Sequence, residues 1–370
     1  MPGLLRKLAL VLASTLAGAS ITELCLRAFV RNPYRAPIAR DAPDAARVLI
    51  HRRSQVPGLA YELAPGLDAD AGGFHVRTNR LGMRGGEIEL AKPASTQRIV
   101  VVGDSVAFGL CVDGALTFAS KLESLLDARR EITGRRAEVL NLAVAGYSST
   151  DEAIVVRAKA LPLDPDLVIV GYYLNDPENE PLQRLQSYFH EPALWERSHL
   201  LRFVGWKRRA RRLEHYGRGD VFRYLHADPE KWSSVVEAFD DIAASTRERG
   251  VRVLLAVLPT LCGCARADAP TKTEQAAIAT GWSRWEDYPY REIHAQVVAQ
   301  AARAGFDTID LLDAWAASGR APAELMADPE HPNALGHALL AQALFEHIAG
   351  PRVAPGMVPA VADESAHEKR

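Results

Sequence analysis

Short apolar runs alternate with helical patterns from residue 98 to residue 349. Ile99 to Val102 is an unbroken β-branched run, which is typical of a strand buried on both faces of a sheet. Strands separated by helices predict a parallel sheet, because each parallel connection needs a crossover that is usually helical. We predict strands over 99–102, 138–142, 167–172, 251–258 and 308–311, and helices over 117–129, 150–161, 232–249, 290–304 and 334–349.

Ser149 and Glu152 have the spacing of a capping box, which predicts the start of the helix over 150–161.

The composition is that of a globular protein, with 370 residues, 48% hydrophobic content and a formal net charge of -2. This charge gives no reason to expect nucleic acid as a partner. The 4 cysteines are too few for a disulfide scaffold. Cys262 and Cys264 are separated by one residue, whereas zinc knuckles usually separate their cysteines by two or more. Two interpretations remain: buried or surface thiols, or, in an exported protein, a disulfide involving Cys111, Cys262 or Cys264.

The N-terminus has the layout of an export signal, since Arg6 and Lys7 precede an apolar run from Leu8 to Ile21. The small residues 17–19 offer a cleavage site, whereas the apolar character that continues toward Val30 gives a span of about 20 residues. We favour an uncleaved membrane anchor over residues 1–30, with a cleaved secretory signal as the alternative. Positive charge on the short N-terminal side predicts that the rest of the chain lies outside the cytoplasm, in the periplasm or the extracellular space.

The remaining segments differ in pattern. Residues 31–97 are interpreted as a linker, to about Ser54, followed by an irregular or hairpin-like lead-in with frequent glycine. Residues 98–350 form the predicted main domain, in which 176–231 breaks the alternation and is interpreted as an insertion. The polar tail over 351–370 is predicted to be disordered.

Candidate functional residues follow three predicted strands or lie in the last loop. Ser105, Gly146 and Asn175 follow the first, second and third strands, and Asp328 and His331 precede the last helix. Because the carboxyl ends of parallel strands share one edge of a sheet, we expect these residues to converge. Each has an ordinary structural interpretation when taken alone: Ser105 as a helix cap, and Gly146 and Asn175 as turn formers.

Together the residues resemble the conserved blocks of the SGNH/GDSL hydrolases. The four matching blocks, in the family's order, are Gly103-Asp104-Ser105 with Gly109, then Gly146, then Asn175, then Asp328 with His331. The third block departs from the family pattern G-x-N-D, because Tyr173 stands in the glycine position. The lead-in segment 79–84 is similar to an N-x-x-G-x-R segment that precedes this domain in membrane-anchored bacterial members.

The resemblance implies a three-layer α/β/α, flavodoxin-like fold with a mainly parallel five-stranded sheet, preceded by the anchor helix. It also implies a serine hydrolase with Ser105 as nucleophile, His331 as base and Asp328 behind the base. These residue types suit the chemistry, because imidazole titrates near neutral pH and a carboxylate fixes its tautomer.

An oxyanion hole is expected from the backbone N–H groups of Ser105 and Gly146 and from the side-chain amide of Asn175. No metal or organic cofactor is expected. Asp104 is interpreted as a structural residue that holds the loop around Ser105.

For an exported hydrolase of this type we expect a small-molecule or carbohydrate ester, above all acetyl groups on envelope or extracellular carbohydrate. Two alternatives stay open: an O-acyltransferase acting on polysaccharide, and a lipase, lysophospholipase or thioesterase acting on lipid esters. The same triad serves hydrolysis and transfer, so the motifs do not separate them.

Two further features allow more than one interpretation. The basic run over 202–212, interleaved with Phe203, Val204 and Trp206, is either a membrane-surface or anionic-substrate patch or a solvated helix face. Six aromatic residues either line a sugar-binding rim or belong to the core; they are Tyr172, Tyr173, Trp282, Trp285, Tyr288 and Tyr290.

Overall fold

The computed structural model describes residues 2–29, 50–178, 189, 197–262, 282–328 and 330–350. The predicted disordered tail and Cys264 lie outside the described residues. The first helix, α1, spans Pro2–Phe29. Within the described residues, α1 is the helix long and apolar enough to cross a membrane, with a mean hydropathy of 1.7 over its best window. A signal sequence near an N-terminus has the same properties, so α1 is compatible with either an anchor or a signal.

The lead-in consists of two antiparallel hairpins. Strands β1 (His51–Arg53) and β2 (Tyr61–Leu63) form the first, and β3 (Asp68–Asp70) and β4 (His75–Arg77) form the second. The hairpin interpretation is therefore confirmed, although β1 begins inside the segment assigned to the linker. Buried apolar residues of both hairpins belong to the same core as the main sheet; they are Ile50, Leu59, Tyr61, Leu63, Phe74 and Val76.

The main sheet has five parallel strands in the order β6-β5-β7-β8-β9. The prediction of a parallel sheet is confirmed, and the strand order is the flavodoxin-like one. It places the carboxyl end of β5 between those of β6 and β7. The strands are β5 (Thr96–Gly103), β6 (Arg136–Asn141), β7 (Leu167–Tyr172), β8 (Arg252–Val257) and β9 (Asp307–Asp310).

Helices cover both faces of the sheet. They are α2 (Ser105–Phe108), α3 (Phe118–Asp127), α4 (Arg130–Thr133), α5 (Ser149–Val155), α6 (His199–Gly217), α7 (Val221–Ala227), α8 (Pro229–Arg247), α9 (Arg291–Ala304), α10 (Leu312–Ala317) and α11 (Ala334–Ala349). On one face α3 packs against β6 and α11, and on the other α8 packs against α5 and α9.

The capping box at the start of α5 lies one residue earlier than predicted. Ser148 and Asp151 form it: the Ser148 N–H donates to the Asp151 carboxylate at 3.0 Å, and the Asp151 N–H donates to the Ser148 hydroxyl at 3.4 Å. The prediction of Ser149 and Glu152 was wrong because the run Ser148-Ser149-Thr150-Asp151-Glu152 contains two overlapping pairs with the same spacing. With the capping box formed by Ser148 and Asp151, Glu152 faces the interior of the protein and is fully buried.

The segment 176–231 carries α6, α7 and the start of α8. Phe222, Tyr224 and His226 of α7 are buried, and His226 Nε2 lies 2.8 Å from the Tyr172 hydroxyl of β7. Asp228 caps α8 by accepting from the N–H groups of Glu230 and Lys231. Part of the predicted insertion therefore packs directly on the sheet.

The aromatic residues considered for a sugar-binding rim belong to the core. All six are buried, and Tyr288 contacts both Trp282 and Tyr290 edge to face. The hydroxyl of Tyr288 lies 2.9 Å from His294 Nε2, which satisfies a polar atom that burial would otherwise leave unpaired. The rim interpretation was wrong for these residues, because their spacing in sequence carries no information on which side of each strand or loop they point.

Candidate active site

The turn after β5 exposes Ser105 at the first position of α2. Asp104, not Ser105, caps this helix, since its carboxylate accepts from the Val106 N–H at 2.8 Å. Gly103 has a φ of +153°, and a Cβ there would lie 2.5 Å from Ala107 Cβ and 2.9 Å from the Gly171 carbonyl oxygen. The turn is thus too tight for any side chain at Gly103, and it leaves the Ser105 hydroxyl without a capping role.

The loop before α11 brings His331 to Ser105. His331 Nε2 lies 2.9 Å from Ser105 Oγ, and His331 Nδ1 lies 2.8 Å from Asp328 Oδ2. The backbone N–H groups of Glu330 and His331 both donate to Asp328 Oδ1 at 2.8 Å. The three predicted side chains therefore form one continuous hydrogen-bonded chain, with the Nδ1–H of His331 directed at the carboxylate.

Charge in this chain favours the ion pair of His331 and Asp328. Burial disfavours the imidazolium, but the hydrogen bond to Asp328, the contact with Cys111 and the negative charge of Asp328 together raise the pKa of His331 to about 10. Burial acts to raise the pKa of Asp328, yet its hydrogen bonds to His331 and to two backbone N–H groups hold that pKa well below its usual value. Asp328 is therefore ionised at neutral pH and supports a positive charge on the imidazole.

Replacing Asp328 with asparagine is expected to lower the pKa of His331, because the neutral amide lacks the negative charge that stabilises the imidazolium and has one acceptor oxygen in place of two. The pKa of each histidine is measured from the pH dependence of hydrogen exchange at its C2 carbon, followed by mass spectrometry. Asp310→Asn is the matched control, since Asp310 is paired in the same way with His294 at 2.9 Å. An unchanged pKa of His331 in Asp328→Asn would contradict this account of the site.

Cys111 contacts the same carboxylate and was not predicted as a site residue. Its thiol lies 3.2 Å from Asp328 Oδ2, and its backbone has a φ of +70°, which is uncommon for a residue with a side chain. The sulfur, the carboxylate and the imidazole of His331 offer atoms within 4.8 Å of one another, a donor set that suits a soft metal ion. In this structure those groups hydrogen-bond to one another. Cys25, Cys111 and Cys262 form no disulfide with one another.

Cys111→Ala is expected to lower kcat/KM for ester hydrolysis by about threefold to tenfold, that is by roughly 0.7–1.4 kcal/mol, because Asp328 loses one of its donors. Cys111→Ser restores a donor of similar size and is expected to recover most of the rate. Cys25→Ser, on an exposed face of α1, serves as the control for cysteine removal. Equal rates for the alanine and wild-type chains would exclude a positioning role for the thiol.

Asn175 lies on a turn that Asp176 folds. The Asp176 carboxylate accepts from the Tyr173 N–H at 2.9 Å, and the Asp176 N–H donates back to the Tyr173 carbonyl at 3.0 Å. Tyr173, which stands where the family pattern has glycine, therefore does not disturb the turn. Burial raises the pKa of Asp104 to about 6, opposed by the Val106 N–H, the charge of His331 and the nearby side chains of Asn175 and Ser105. Asn175 and Ser105 thus face the same carboxylate.

Gly146 lies in the loop after β6 and has a φ of +81°. Two tyrosines hold this loop against the lead-in: the Tyr61 hydroxyl donates to the Ala145 carbonyl at 2.8 Å, and the Tyr147 hydroxyl donates to the Tyr61 carbonyl at 2.6 Å. The Ser149 N–H donates to the Asp176 carbonyl at 3.0 Å, which joins the loop to the Asn175 turn. The loops that carry Ser105, Gly146 and Asn175 therefore follow adjacent strands and are braced together.

Glu152 and Asp176 form a second group that sequence patterns did not indicate. Both are buried. Burial, with the charges of Asp104 and Asp151, raises the pKa of Glu152 well above its usual value, and burial, with the charges of Glu152 and Asp104, raises the pKa of Asp176 well above its usual value. Both Glu152 carboxylate oxygens are buried without a hydrogen-bond partner among the described residues. The pair lies next to the turns that present Ser105 and Asn175, and a neutral form of these groups is favoured there.

Arg84 of the lead-in supports the turn after Ser105. Its buried guanidinium donates to the carbonyls of Phe108 at 2.7 Å, Gly109 at 2.6 Å and Val112, and it stacks 4.3 Å from the Phe108 ring. The Asn79 side chain accepts from the N–H groups of Leu81 and Met83 and shapes the bend before Arg84. The N-x-x-G-x-R segment therefore has a structural role at the site.

Several solved structures are similar to the chain in fold. TesA shares 19% identity with a TM-score of 0.39, covering 68% of this chain and 98% of that one. LAE5, an alpha/beta hydrolase enzyme from the metagenome of Lake Arreo, shares 18% with a TM-score of 0.43, covering 70% and 97%. The acetylxylan esterase Axe2 from Geobacillus stearothermophilus shares 16% with a TM-score of 0.42, covering 69% and 95%. None of the curated proteins matches the chain.

The structure is that of an α/β protein whose parallel sheet carries hydrogen-bonded serine, histidine and aspartate side chains at its carboxyl edge. The model of the GDSL-like Lipase/Acylhydrolase family matches residues 101–339, well over half of the chain, and the chain belongs to this family. The resemblance predicted from the four blocks is confirmed, and the protein is an ester hydrolase of the SGNH/GDSL type.

Proposed function

We propose that the protein cleaves carboxylic esters through Ser105, His331 and Asp328 by way of an acyl-enzyme. The observation that carries the proposal is the unbroken hydrogen-bonded chain from Ser105 Oγ to Asp328. In the molecules whose imidazole is neutral, His331 Nε2 removes the hydroxyl proton as Ser105 Oγ attacks the ester carbonyl carbon, and the raised pKa of His331 makes it a stronger base in that form. Asp328 stabilises the imidazolium formed in this step without itself taking the proton.

The negative oxygen of the tetrahedral intermediate is stabilised by the N–H groups of Ser105 and Gly146 and by the Asn175 amide. Support comes from the adjacency of the three loops and from the two N–H groups of Asn175, which allow one to face Asp104 and the other an oxyanion. The imidazolium then protonates the leaving alcohol. A water molecule, deprotonated by His331, then attacks the acyl carbon. The bond from that carbon to Ser105 Oγ breaks, Oγ takes the proton back from His331, and the acid leaves.

Ser105→Ala is expected to abolish hydrolysis of p-nitrophenyl acetate, and Asn175→Ala is expected to lower kcat by about 10²–10³ with little change in KM. Asn333→Ala is the matched control, because Asn333 caps α11 through the N–H groups of Leu335 and Gly336 and does not contact Ser105. Its effect should appear in thermal stability and not in kcat. Full activity of Ser105→Ala would refute the mechanism.

The proposed location is the outer face of a membrane, with α1 as an uncleaved anchor. Arg6 and Lys7 on the short side of the apolar run favour an N-terminus that stays in the cytoplasm. The site then meets esters outside the cytoplasm, and we propose acyl groups, chiefly acetyl, on envelope or extracellular carbohydrate as its substrates.

A panel of p-nitrophenyl esters from acetyl to long-chain acyl, assayed on the full chain in detergent, tests the substrate class. The carbohydrate proposal predicts the highest kcat/KM for acetyl, whereas a preference for long chains would favour a lipid ester substrate. Adding an oligosaccharide acceptor separates hydrolysis from transfer. Formation of acetylated acceptor in place of free acetate would show that the protein acts as an acyltransferase through the same residues.

A further inference from the structure

We infer that the outward face of α6 lies on the surface of an anionic phospholipid bilayer, beside the point where α1 leaves it. This inference rests on the proposed membrane anchoring by α1 and not on the ester chemistry. It identifies the basic run over 202–212 as a lipid-binding face. The contacts between α1 and α6, and the distribution of charge around α6, carry the argument.

Helix α1 holds the start of α6 through one carboxylate. Glu23 accepts from the Ser198 hydroxyl at 2.9 Å and from the backbone N–H groups of His199 at 2.9 Å and Leu200 at 2.8 Å. A carboxylate in this position also interacts favourably with the positive, N-terminal end of the α6 helix dipole.

The contact between Glu23 and the start of α6 lies near the C-terminal end of the apolar span. Lys7 and Arg27 bound the span and lie about 30 Å apart along a helix, which is the thickness of the hydrocarbon core of a bilayer. Glu23 is paired with Arg27 at 2.7 Å, one turn inside that end. A bilayer crossed by α1 therefore brings the first turn of α6 to the boundary between hydrocarbon and headgroups.

The outward face of α6 combines apolar and basic side chains. Leu201 and Val204 are 48% and 37% exposed, and Lys207, Arg208 and Arg211 are exposed on the same side of the helix. Lys207 Nζ lies 4.6 Å from the ring centre of Trp206. Apolar side chains with a fringe of lysine and arginine are the features of helices that lie in the interface of a membrane.

Two other arginines of the run, Arg209 and Arg212, serve the fold. Arg212 pairs with Asp228 and Glu230, and Arg209 pairs with Glu178 on the inward side of α6. Among the described residues, no carboxylate forms an ion pair with Lys207, Arg208 or Arg211. The run thus divides into an inward set neutralised by acids and an outward set that phosphate groups of lipids can neutralise.

The test uses the full chain reconstituted into vesicles that contain brominated lipids, which quench tryptophan fluorescence on contact. Val204→Trp places a reporter on the outward face of α6, and Ala244→Trp places one at an exposed position of α8. In vesicles containing phosphatidylglycerol we expect extra quenching of about twofold or more for Val204→Trp over Ala244→Trp, relative to the unsubstituted chain. Vesicles of phosphatidylcholine alone should reduce that difference.

Charge reversal identifies the contribution of the basic side chains. Lys207→Glu, Arg208→Glu and Arg211→Glu, combined in the Val204→Trp chain, are expected to lower the extra quenching by about twofold or more. The matched control reverses Arg130, Arg247 and Arg249, which are exposed on other helices or their ends, and should leave the quenching unchanged.

The outcomes separate the inference from the proposals on which it rests. Failure of the unsubstituted chain to float with vesicles would overturn the anchor and with it this inference. Flotation without extra quenching of Val204→Trp would overturn the inference alone. Quenching that disappears as the protein-to-lipid ratio rises would instead identify a second copy of the chain as the occupant of this face. Esterase activity in the same vesicles is measured separately and decides none of these outcomes.

Discussion

The site depends on one buried guanidinium that holds the turn after the nucleophile. Arg84 donates to the carbonyls of Phe108, Gly109 and Val112, three buried groups that require hydrogen-bond donors. Since Arg84 belongs to the lead-in, the turn is shaped by residues outside the α/β sheet itself. Tyr61 acts in parallel on the loop that carries Gly146. The lead-in therefore functions as a brace for two of the three loops at the carboxyl edge.

Local sequence patterns were sufficient for the sheet and for the hydrogen-bonded chain at its edge. Buried parallel strands are short apolar runs, so β7 was predicted at the bounds that the structure has. The bounds of the last helix, α11, were also predicted correctly. The edge of the sheet could be assigned because polar residues directly after parallel strands must share it. This reasoning placed Ser105 at that edge, and the resemblance of the last loop to the family's final block implied that His331 joins it, even though 226 residues separate the two.

The remaining features depend on contacts that no local pattern encodes. Cys111 lies 217 residues before Asp328, and its thiol reaches the carboxylate only because of a left-handed backbone that a sequence does not display. Two pairs of residues in the run 148–152 have the spacing of a capping box, so the sequence alone did not show which pair caps α5. Glu152 acquired its buried environment from that one-residue choice, and the aromatic residues near Trp282 acquired theirs from long-range packing.

The distance along the chain between Ser105 and His331 has a consequence for the newly made protein. A chain that emerges N-terminus first forms β5, β6 and β7, with the serine in its turn, while the final loop is still unmade. Only the docking of α11 on α3 delivers the imidazole. Under the proposed mechanism the hydroxyl has no base to activate it until then, so a nascent or truncated chain would meet acylated molecules as an inert protein, and reactivity would begin with the last folding step.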